Sequence, residues 1–127
     1  MTAVTEIYPL TALPMKLQKR ITKRPSPTGR HFALIAAGRD PSSDCWIFDS
    51  TSSDGYAQLK WRNKVWNGHR LTYHLLVSPL HQPGKARQLD GRVVDHICEV
   101  RACVSPNHLE LISQSDNTKR GARHRAD

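Results

Sequence analysis

Several features that mark other classes of protein are missing from this 127-residue chain. No apolar run is long enough to span a bilayer, and the start Met1–Glu6 lacks the basic segment and apolar stretch of a secretory signal. These absences predict a cytoplasmic protein with no membrane partner. Aromatic residues make up only 6% of the chain, and its length suits one domain with a modest core. We therefore expect some additional fastening of the fold.

Acidic residues are also scarce, because 11 Asp and Glu stand against 19 Lys and Arg, giving a formal net charge of +8. This balance favours a polyanionic partner, with a merely solvated basic surface as the alternative. Residues 1–44 show no clear periodicity and carry basic side chains around Pro25–Gly29. We expect a basic, partly irregular arm there, which either lies on phosphates or is disordered. Residues 45–127 are expected to form the main domain with a basic C-terminal tail.

The first part of this domain predicts a hairpin followed by a helix. Loose alternation of apolar and polar residues over 56–66 indicates two strands that turn at Asn63-Lys64. Leu71, Leu75 and Leu76 have helical spacing, so a short helix is expected over residues 68–77. Proline at position 79 would end that helix.

The second part predicts strand, loop, strand and helix, and the class is therefore α+β. Strands are expected at residues 92–96 and 109–112. Ser113 is followed three residues later by Asp116, which has the spacing of a capping box with Asp in the usual Glu place. A helix should consequently begin near Gln114.

Cysteine is rare as well, with only three in the chain. In a reducing compartment, cysteines near histidines bind metal more often than they form disulfides. Four residues separate Cys98 from Cys103 and four separate Cys103 from His108, so one loop can wrap three ligands around a tetrahedral zinc ion. Cys45 lies far upstream beside Trp46 and is either the fourth ligand or a small buried apolar residue.

A second group of polar residues flanks this loop. His96 stands at the end of a predicted strand and is a candidate general base, although a single histidine is more often a packing residue. Asp95 and Asn117 offer oxygen ligands on either side of the loop. If the helix packs back on the strand, they would meet beside His96 and hold a hard divalent ion. Taken singly, Asp95 would be a surface charge and Asn117 a surface amide.

Together these residues resemble the motif of the HNH, or His-Me finger, endonucleases. The strings Asp95–Cys98, Cys103–Leu109 and Asn117 are similar to the zinc-bearing form shared by small phage HNH endonucleases and His-Cys box homing endonucleases. Cys45–Phe48 and the string from His69 to Tyr73 also resemble segments of the phage proteins. The similarity covers most of the chain after the basic arm.

The resemblance implies a ββα-metal fold behind an N-terminal hairpin, acting on DNA. In it His96 would deprotonate water, and Asn117 would bind a catalytic Mg²⁺ for which other divalent metals can substitute. Asp95 matches the metal-binding acid of the HNH branch, whereas in the His-Cys box branch that position need not be acidic. The structural zinc site implied by the family falls on Cys45, Cys98, Cys103 and His108.

Two features depart from the family pattern or leave it open. Phage relatives commonly have Asn where this chain has Ser105, a position expected to shape the loop. The family also uses an arginine to steady the phosphate, and Arg62 and Arg70 are the alternatives here. The residues expected to bind DNA are Lys60, Arg62, Lys64, Arg70, Lys119 and Arg120.

The sequence thus predicts a metal-dependent DNA endonuclease encoded by a phage or mobile element and acting in the cytoplasm, which would be the host's if a phage encodes it. One alternative is a zinc-stabilised DNA-binding module without catalysis, in which His96 is a bystander. Another is a thiol enzyme, which would need a metal-free, reactive Cys98 thiolate. The recognition sequence, nicking as against double-strand cleavage, and formation of a homodimer stay open.

Overall fold

The computed structural model describes residues 8–25, 31–80, 92–113, 115–116 and 118–119. In these ranges three antiparallel pairs of strands alternate with short helices. This arrangement confirms the predicted α+β class. None of the described helices is both long enough and apolar enough to cross a membrane.

The N-terminal part contains short helices and one strand. A 3₁₀ turn at Leu10–Ala12 precedes helix α1 (Met15–Gln18), and helix α2 covers His31–Ala36. Strand β1 (Ile21–Arg24) pairs antiparallel with strand β2 (Cys45–Phe48). Three of the four β1 residues are exposed, so the sequence has no alternation of apolar and polar residues that would predict this strand.

The largest core joins this part to the rest of the molecule. Leu13 and Leu17, which precede β1, are buried against side chains that follow residue 44. Packing therefore continues across the position where the sequence changes from basic arm to patterned domain. The members of this core are Leu13, Leu17, Trp46, Phe48, Ala57, Leu59, Trp66, Leu71 and Val104.

The predicted hairpin is present as β3 (Gln58–Trp61) and β4 (Lys64–Asn67). Its turn falls on Arg62 and Asn63, one residue earlier than expected, and both have positive φ angles of 49° and 66°. Two consecutive positive φ angles suit a tight hairpin because they match the twist of the strands. Asn tolerates that conformation better than most side chains do.

The predicted helix over residues 68–77 is present in two parts. Helix α3 (Gly68–Thr72) runs directly into a π-helical turn at Tyr73–Val77. Ser78 then returns to extended backbone. An extended residue is what the ring of the following Pro79 favours.

The second predicted pair of strands is β5 (Arg92–His96) and β6 (Leu109–Ser113), joined antiparallel with His96 opposite Leu109. The Asp116 N–H donates to the Ser113 hydroxyl at 3.0 Å, which is the predicted cap. The backbone is helical at the described positions after β6, namely Ser115, Asp116, Thr118 and Lys119.

Candidate metal centre and active site

Strand β2 brings Cys45 to the loop that follows β5. The Val104 N–H donates to the Trp46 carbonyl at 2.8 Å, and the Phe48 N–H donates to the Ala102 carbonyl at 3.3 Å. This loop therefore lies along β2 on the side away from β1. Cys45, the first residue of β2, is placed beside ligands that lie more than fifty residues later in the chain.

Cys45, Cys98, Cys103 and His108 are buried, and their ligand atoms all lie within 4.8 Å of one another. His108 Nδ1 is 3.5 Å from the Cys45 sulfur and 3.7 Å from the Cys103 sulfur. Tetrahedral zinc with ordinary bond lengths separates a nitrogen and a sulfur ligand by about 3.6 Å. The structure thus brings the four predicted ligands together, and their spacing and donor types fit zinc.

Backbone hydrogen bonds shape the loop that carries three of these ligands. The Ile97 N–H donates to the His108 carbonyl at 2.7 Å, which closes the loop at its base. The Cys103 N–H donates to the Val100 carbonyl at 3.0 Å, and Glu99 turns the chain with a φ of 59°. The ligand spacing is therefore built into a closed backbone.

Ser43 orients His108, a role that the sequence did not predict. The Ser43 hydroxyl donates to the Asp40 carbonyl at 2.7 Å, so its oxygen accepts from His108 Nε2–H, also at 2.7 Å. Nε2 consequently carries the proton, and the lone pair of Nδ1 faces the cysteine sulfurs. Hydrogen bonding of the distal nitrogen is how proteins commonly fix a metal-ligating histidine. No local pattern marks Ser43, since the contact joins residues 65 positions apart.

Hydrogen bonding and burial shift the pKa values of the three clustered thiols. Hydrogen bonds from Cys103 and Cys98 hold the pKa of the Cys45 thiol far below its ordinary value. For Cys98, a hydrogen bond from Cys103 lowers the pKa, but the interaction with Cys45 and burial outweigh it and raise the pKa to about 12. Burial also raises the pKa of Cys103. The raised pKa of the buried Cys98 thiol does not suit a reactive-thiol enzyme.

Ser105, where phage relatives commonly have Asn, caps the 3₁₀ turn at Pro106–His108. Its hydroxyl oxygen accepts from the Asn107 N–H and from Asn107 Nδ2, both at 3.2 Å. Asn107 in turn donates to the Tyr8 carbonyl at 3.0 Å and accepts from the Tyr8 N–H at 3.1 Å. Ser105 therefore supports the backbone that presents His108.

His96, the last residue of β5, is 7% exposed. Its Nε2 lies 2.9 Å from the Cys103 carbonyl oxygen. A carbonyl only accepts, so Nε2 carries the proton and Nδ1 keeps its lone pair. Among the described residues no group forms a hydrogen bond with Nδ1. Burial, opposed by the Cys103 carbonyl, lowers the pKa of His96 to about 4, and the imidazole is therefore neutral near pH 7.

A second buried histidine lies against the first. The centroids of the His69 and His96 rings are 4.4 Å apart, and the Tyr56 ring is 5.7 Å from each. The Arg101 guanidinium covers Tyr56 at 5.4 Å. Sequence reasoning included His69 in a string similar to the phage proteins but gave it no role. Its position against His96 arises from packing of α3, which no local pattern reveals.

The oxygen ligands predicted for Mg²⁺ are described only in part. Asp95 is half-buried and lies directly across the β5–β6 pair from Glu110. Because consecutive strand residues point to opposite faces, Asp95 and His96 leave β5 in opposite directions. Asn117 lies outside the described residues.

The predicted DNA-binding residues differ in exposure. Lys60, Arg62 and Lys64 are exposed on the β3–β4 hairpin, and Lys119 is also exposed. Arg70 is only 4% exposed, and burial lowers its pKa. Arg120 lies outside the described residues.

Comparison with protein families matches residues 88–119 to the HNH endonuclease family. The matched segment contains Asp95, His96, the Cys98–His108 loop and Asn117, and so confirms the resemblance seen in the sequence. Residues 88–119 are thus similar to HNH endonucleases. No curated protein and no solved structure matches the chain.

Proposed function

We propose that this protein is a metal-dependent DNA endonuclease in which His96 is the general base. The observation that carries the proposal is the state of His96 within the HNH segment. The Cys103 carbonyl holds Nε2–H at 2.9 Å, and Nδ1 is free of protein hydrogen bonds in the described ranges. A neutral, oriented imidazole with an available lone pair is what general-base catalysis requires.

In the proposed reaction, His96 Nδ1 takes a proton from water as the water oxygen attacks the scissile phosphorus. The new P–O bond forms while the bond from phosphorus to the 3′ oxygen breaks. The 3′ oxygen then gains a proton from solvent, which leaves a 3′-hydroxyl and a 5′-phosphate. The Cys103 carbonyl stabilises the imidazolium that forms, because Nε2–H already points at it.

We assign the catalytic Mg²⁺ to Asp95 and Asn117. A carboxylate and an amide oxygen are suitable ligands for Mg²⁺, which keeps several waters and binds phosphate oxygens as well. When bound, the ion would stabilise negative charge on the phosphate and on the leaving 3′ oxygen.

Zinc has a structural role in this proposal. The Cys3His set offers four protein ligands, which would fill the coordination shell of a structural zinc ion and leave no position for water or substrate. Its contribution to catalysis is indirect, since Cys103 provides both a ligand sulfur and the carbonyl that holds His96.

The exposed basic residues supply the DNA surface. We assign backbone contacts to Lys60, Arg62 and Lys64 on the hairpin and to Lys119 and Arg120 after β6. Exposure favours Arg62 over Arg70 for the phosphate contact, because a contact made by Arg70 would require movement of a buried side chain. Basic residues of the segment 1–44 extend this surface in the proposal.

The test is nicking of supercoiled plasmid by wild type and by His96→Ala in Mg²⁺ or Mn²⁺. Loss of a general base should slow cleavage by about 10²- to 10⁴-fold. Zinc content and DNA binding should stay close to wild type, because His96 is not among the four clustered ligands. His31→Ala, a histidine on α2 outside both sites, is the matched control and should cleave normally.

Two outcomes would contradict the proposal. If a folded His96→Ala variant nicks the plasmid at the wild-type rate, His96 is not the general base. No cleavage by the purified wild type in any divalent metal would instead support a zinc-stabilised DNA-binding module.

A further inference from the structure

An open cleft lies between β6, the π-helical turn after α3 and the N-terminal part of the chain. It encloses about 420 Å³, which falls within the range of about 300–1,000 Å³ that is usual for small-molecule sites. Apolar side chains, among them Val77, Leu109 and Leu111, form one part of its wall. The proposed reaction assigns no role to this cleft.

Two arginines and two tyrosines contribute polar groups to the rest of the wall. Tyr8, Arg39, Tyr73 and Arg92 line the cleft together with the carboxylate of Glu110. Burial raises the pKa of Tyr73 and Tyr8 raises it further, whereas Arg39 and Arg92 act in the opposite direction. Both guanidinium groups and the Tyr8 phenol therefore lie within electrostatic reach of the Tyr73 hydroxyl. Two cations against one carboxylate in the described wall favour an anionic ligand.

The end of helix α2 directs Arg39 to the cleft. Gly38 has a φ of 74°, and its N–H donates to the Ile35 carbonyl at 3.0 Å. The Arg39 N–H donates to the Leu34 carbonyl at 2.8 Å. This pair of bonds is the Schellman motif, in which glycine is preferred at the position with positive φ. The backbone that carries Arg39 is thus set by a defined helix end.

Further hydrogen bonds attach this wall to the turn that carries His108. Arg39 Nη1 donates to the carbonyls of Pro106 and Asn107 at 3.1 and 3.2 Å. These bonds use one of the three guanidinium nitrogens, so the fork of donors is oriented before any ligand binds. The backbone of Tyr8 is held by the Asn107 side chain at 3.0 and 3.1 Å. The cleft is therefore preorganised on two sides.

The size and wall of the cleft suit a nucleotide. Arginine forks bind phosphate oxygens in pairs, and aromatic side chains stack on bases. Apolar side chains supply further contact area for a base, and a carboxylate such as Glu110 accepts from base amino groups. Inorganic phosphate alone would leave most of the volume unfilled.

We propose that this cleft is a nucleotide-binding site, in which Arg39 and Arg92 bind the phosphate and the tyrosines and apolar side chains contact the base. The nucleotide is either a unit of a nucleic-acid strand or a free nucleotide, since both present the same groups. For a strand, the inference rests on the proposed function. Arg92 precedes His96 by four residues on β5, which is about 13 Å along the strand, so a bound strand can extend from the cleft to the candidate base.

The test measures binding of dAMP by calorimetry and of a short labelled single strand of DNA by fluorescence anisotropy. Both use the zinc-loaded full chain in Ca²⁺, so neither needs cleavage. Arg92→Gln removes one phosphate ligand from the exposed start of β5 and should weaken dAMP binding about 10-fold. Val77→Trp fills the cleft without changing its charge and should weaken dAMP binding at least as much. Arg101→Gln removes the same charge as Arg92→Gln outside the cleft and should bind dAMP as wild type does.

The two ligands distinguish the two sources of the nucleotide. If Arg92→Gln and Val77→Trp weaken binding of the single strand, the site holds a unit of a nucleic-acid strand. If they weaken binding of dAMP alone, the site holds a free nucleotide.

The inference is overturned if either variant, folded by thermal unfolding and zinc content, binds both ligands as tightly as Arg101→Gln does. It is also overturned if wild type binds neither ligand. If Val77→Trp does not fold, Arg92→Gln decides, because it changes an exposed residue. None of these outcomes alters plasmid cleavage by wild type or its loss in His96→Ala, so the proposed function stands or falls separately.

Discussion

The metal cluster and the histidine pair are two buried polar groups that differ in how many of their polar atoms have a partner within the protein. In the cluster, three thiols and one imidazole converge within 4.8 Å, and Ser43 occupies the outer nitrogen of His108. In the pair, His96 has one nitrogen bound and the other open, and His69 has a buried nitrogen with no described partner. Such a contrast is what separates structural sites, which are closed, from catalytic sites, which keep a position open.

Cys103 connects the two groups. Its sulfur belongs to the metal cluster, and its carbonyl oxygen accepts the hydrogen bond from His96. A substitution that disrupts the metal cluster is therefore expected to disturb the histidine pair as well. A substitution in the histidine pair should leave the metal in place. This asymmetry can be tested from either side.

The largest effect is expected from Cys45→Ser. Structural zinc contributes about 10–16 kcal/mol of apparent binding free energy in small domains, and most of the folding free energy can depend on it. We expect the variant to lose stoichiometric zinc, to unfold at a much lower temperature and to lose cleavage. Elemental analysis and thermal unfolding provide the measurements.

Ile47→Val on the same strand is the control, because it removes one methylene from β2 and leaves every ligand in place. It should cost only about 0.5–1.5 kcal/mol and retain zinc. A Cys45→Ser protein with full zinc and wild-type stability would show that Cys45 is a packing residue.

A smaller effect is expected from Gly68→Ala, which displaces helix α3 and with it the His69 ring of the histidine pair. The new methyl group would meet Ala57 Cβ and Val104 Cγ1 at under 3 Å, so α3 must shift. Overpacking of this kind costs about 1–3 kcal/mol, which chemical denaturation would measure. Zinc should be retained. The cleavage rate should fall, because His69 moves with α3 and its ring packs against the ring of His96.

The double variant Ala57→Gly with Gly68→Ala removes one of the two clashing atoms. It should recover part of both the stability and the rate relative to Gly68→Ala alone, after allowance for the cost of Ala57→Gly itself. Equal cleavage rates for wild type and Gly68→Ala would show that catalysis does not depend on the position of α3.

The smallest effect is expected from Ser43→Ala, which leaves all four ligands but removes the partner of His108 Nε2. Loss of such an outer hydrogen bond typically weakens metal binding by about 10- to 100-fold. Competition with a chromophoric chelator would measure the change. Ser42→Ala is the matched control, because among the described residues the Ser42 hydroxyl bonds only to the half-buried Asp40 carboxylate. Equal zinc affinity in the two variants would show that the Ser43 hydroxyl does not contribute to metal binding.

The sequence predicted the features that depend on nearby residues. The cap of Ser113 on Asp116, the strand at residues 92–96 and the ligand spacing of the Cys98–His108 loop are all local patterns, and each is present in the structure. The hairpin turn was displaced by one residue because both Arg62 and Asn63, rather than Asn63 and Lys64, take positive φ.

Features that depend on distant packing were not predictable in this way. Strand β1 has little apolar patterning, and its identity depends on β2 as partner. Ser43 and His69 are ordinary residues in their own segments and acquire roles only beside His108 and His96. Asn117 remains a sequence-based assignment, since it lies outside the described residues.

The two hydrogen bonds between Tyr8 and Asn107 join residues 99 positions apart. During synthesis at about 5–20 residues per second, Tyr8 would wait roughly 5–20 s for Asn107 to be made. Cys45 would likewise wait for His108, which lies 63 positions later. The turn that presents His108 and the cysteine set it completes can therefore assemble only after residue 108 has been made. We expect a nascent chain that stops before residue 107 to bind neither zinc nor its own N-terminal segment in the native manner.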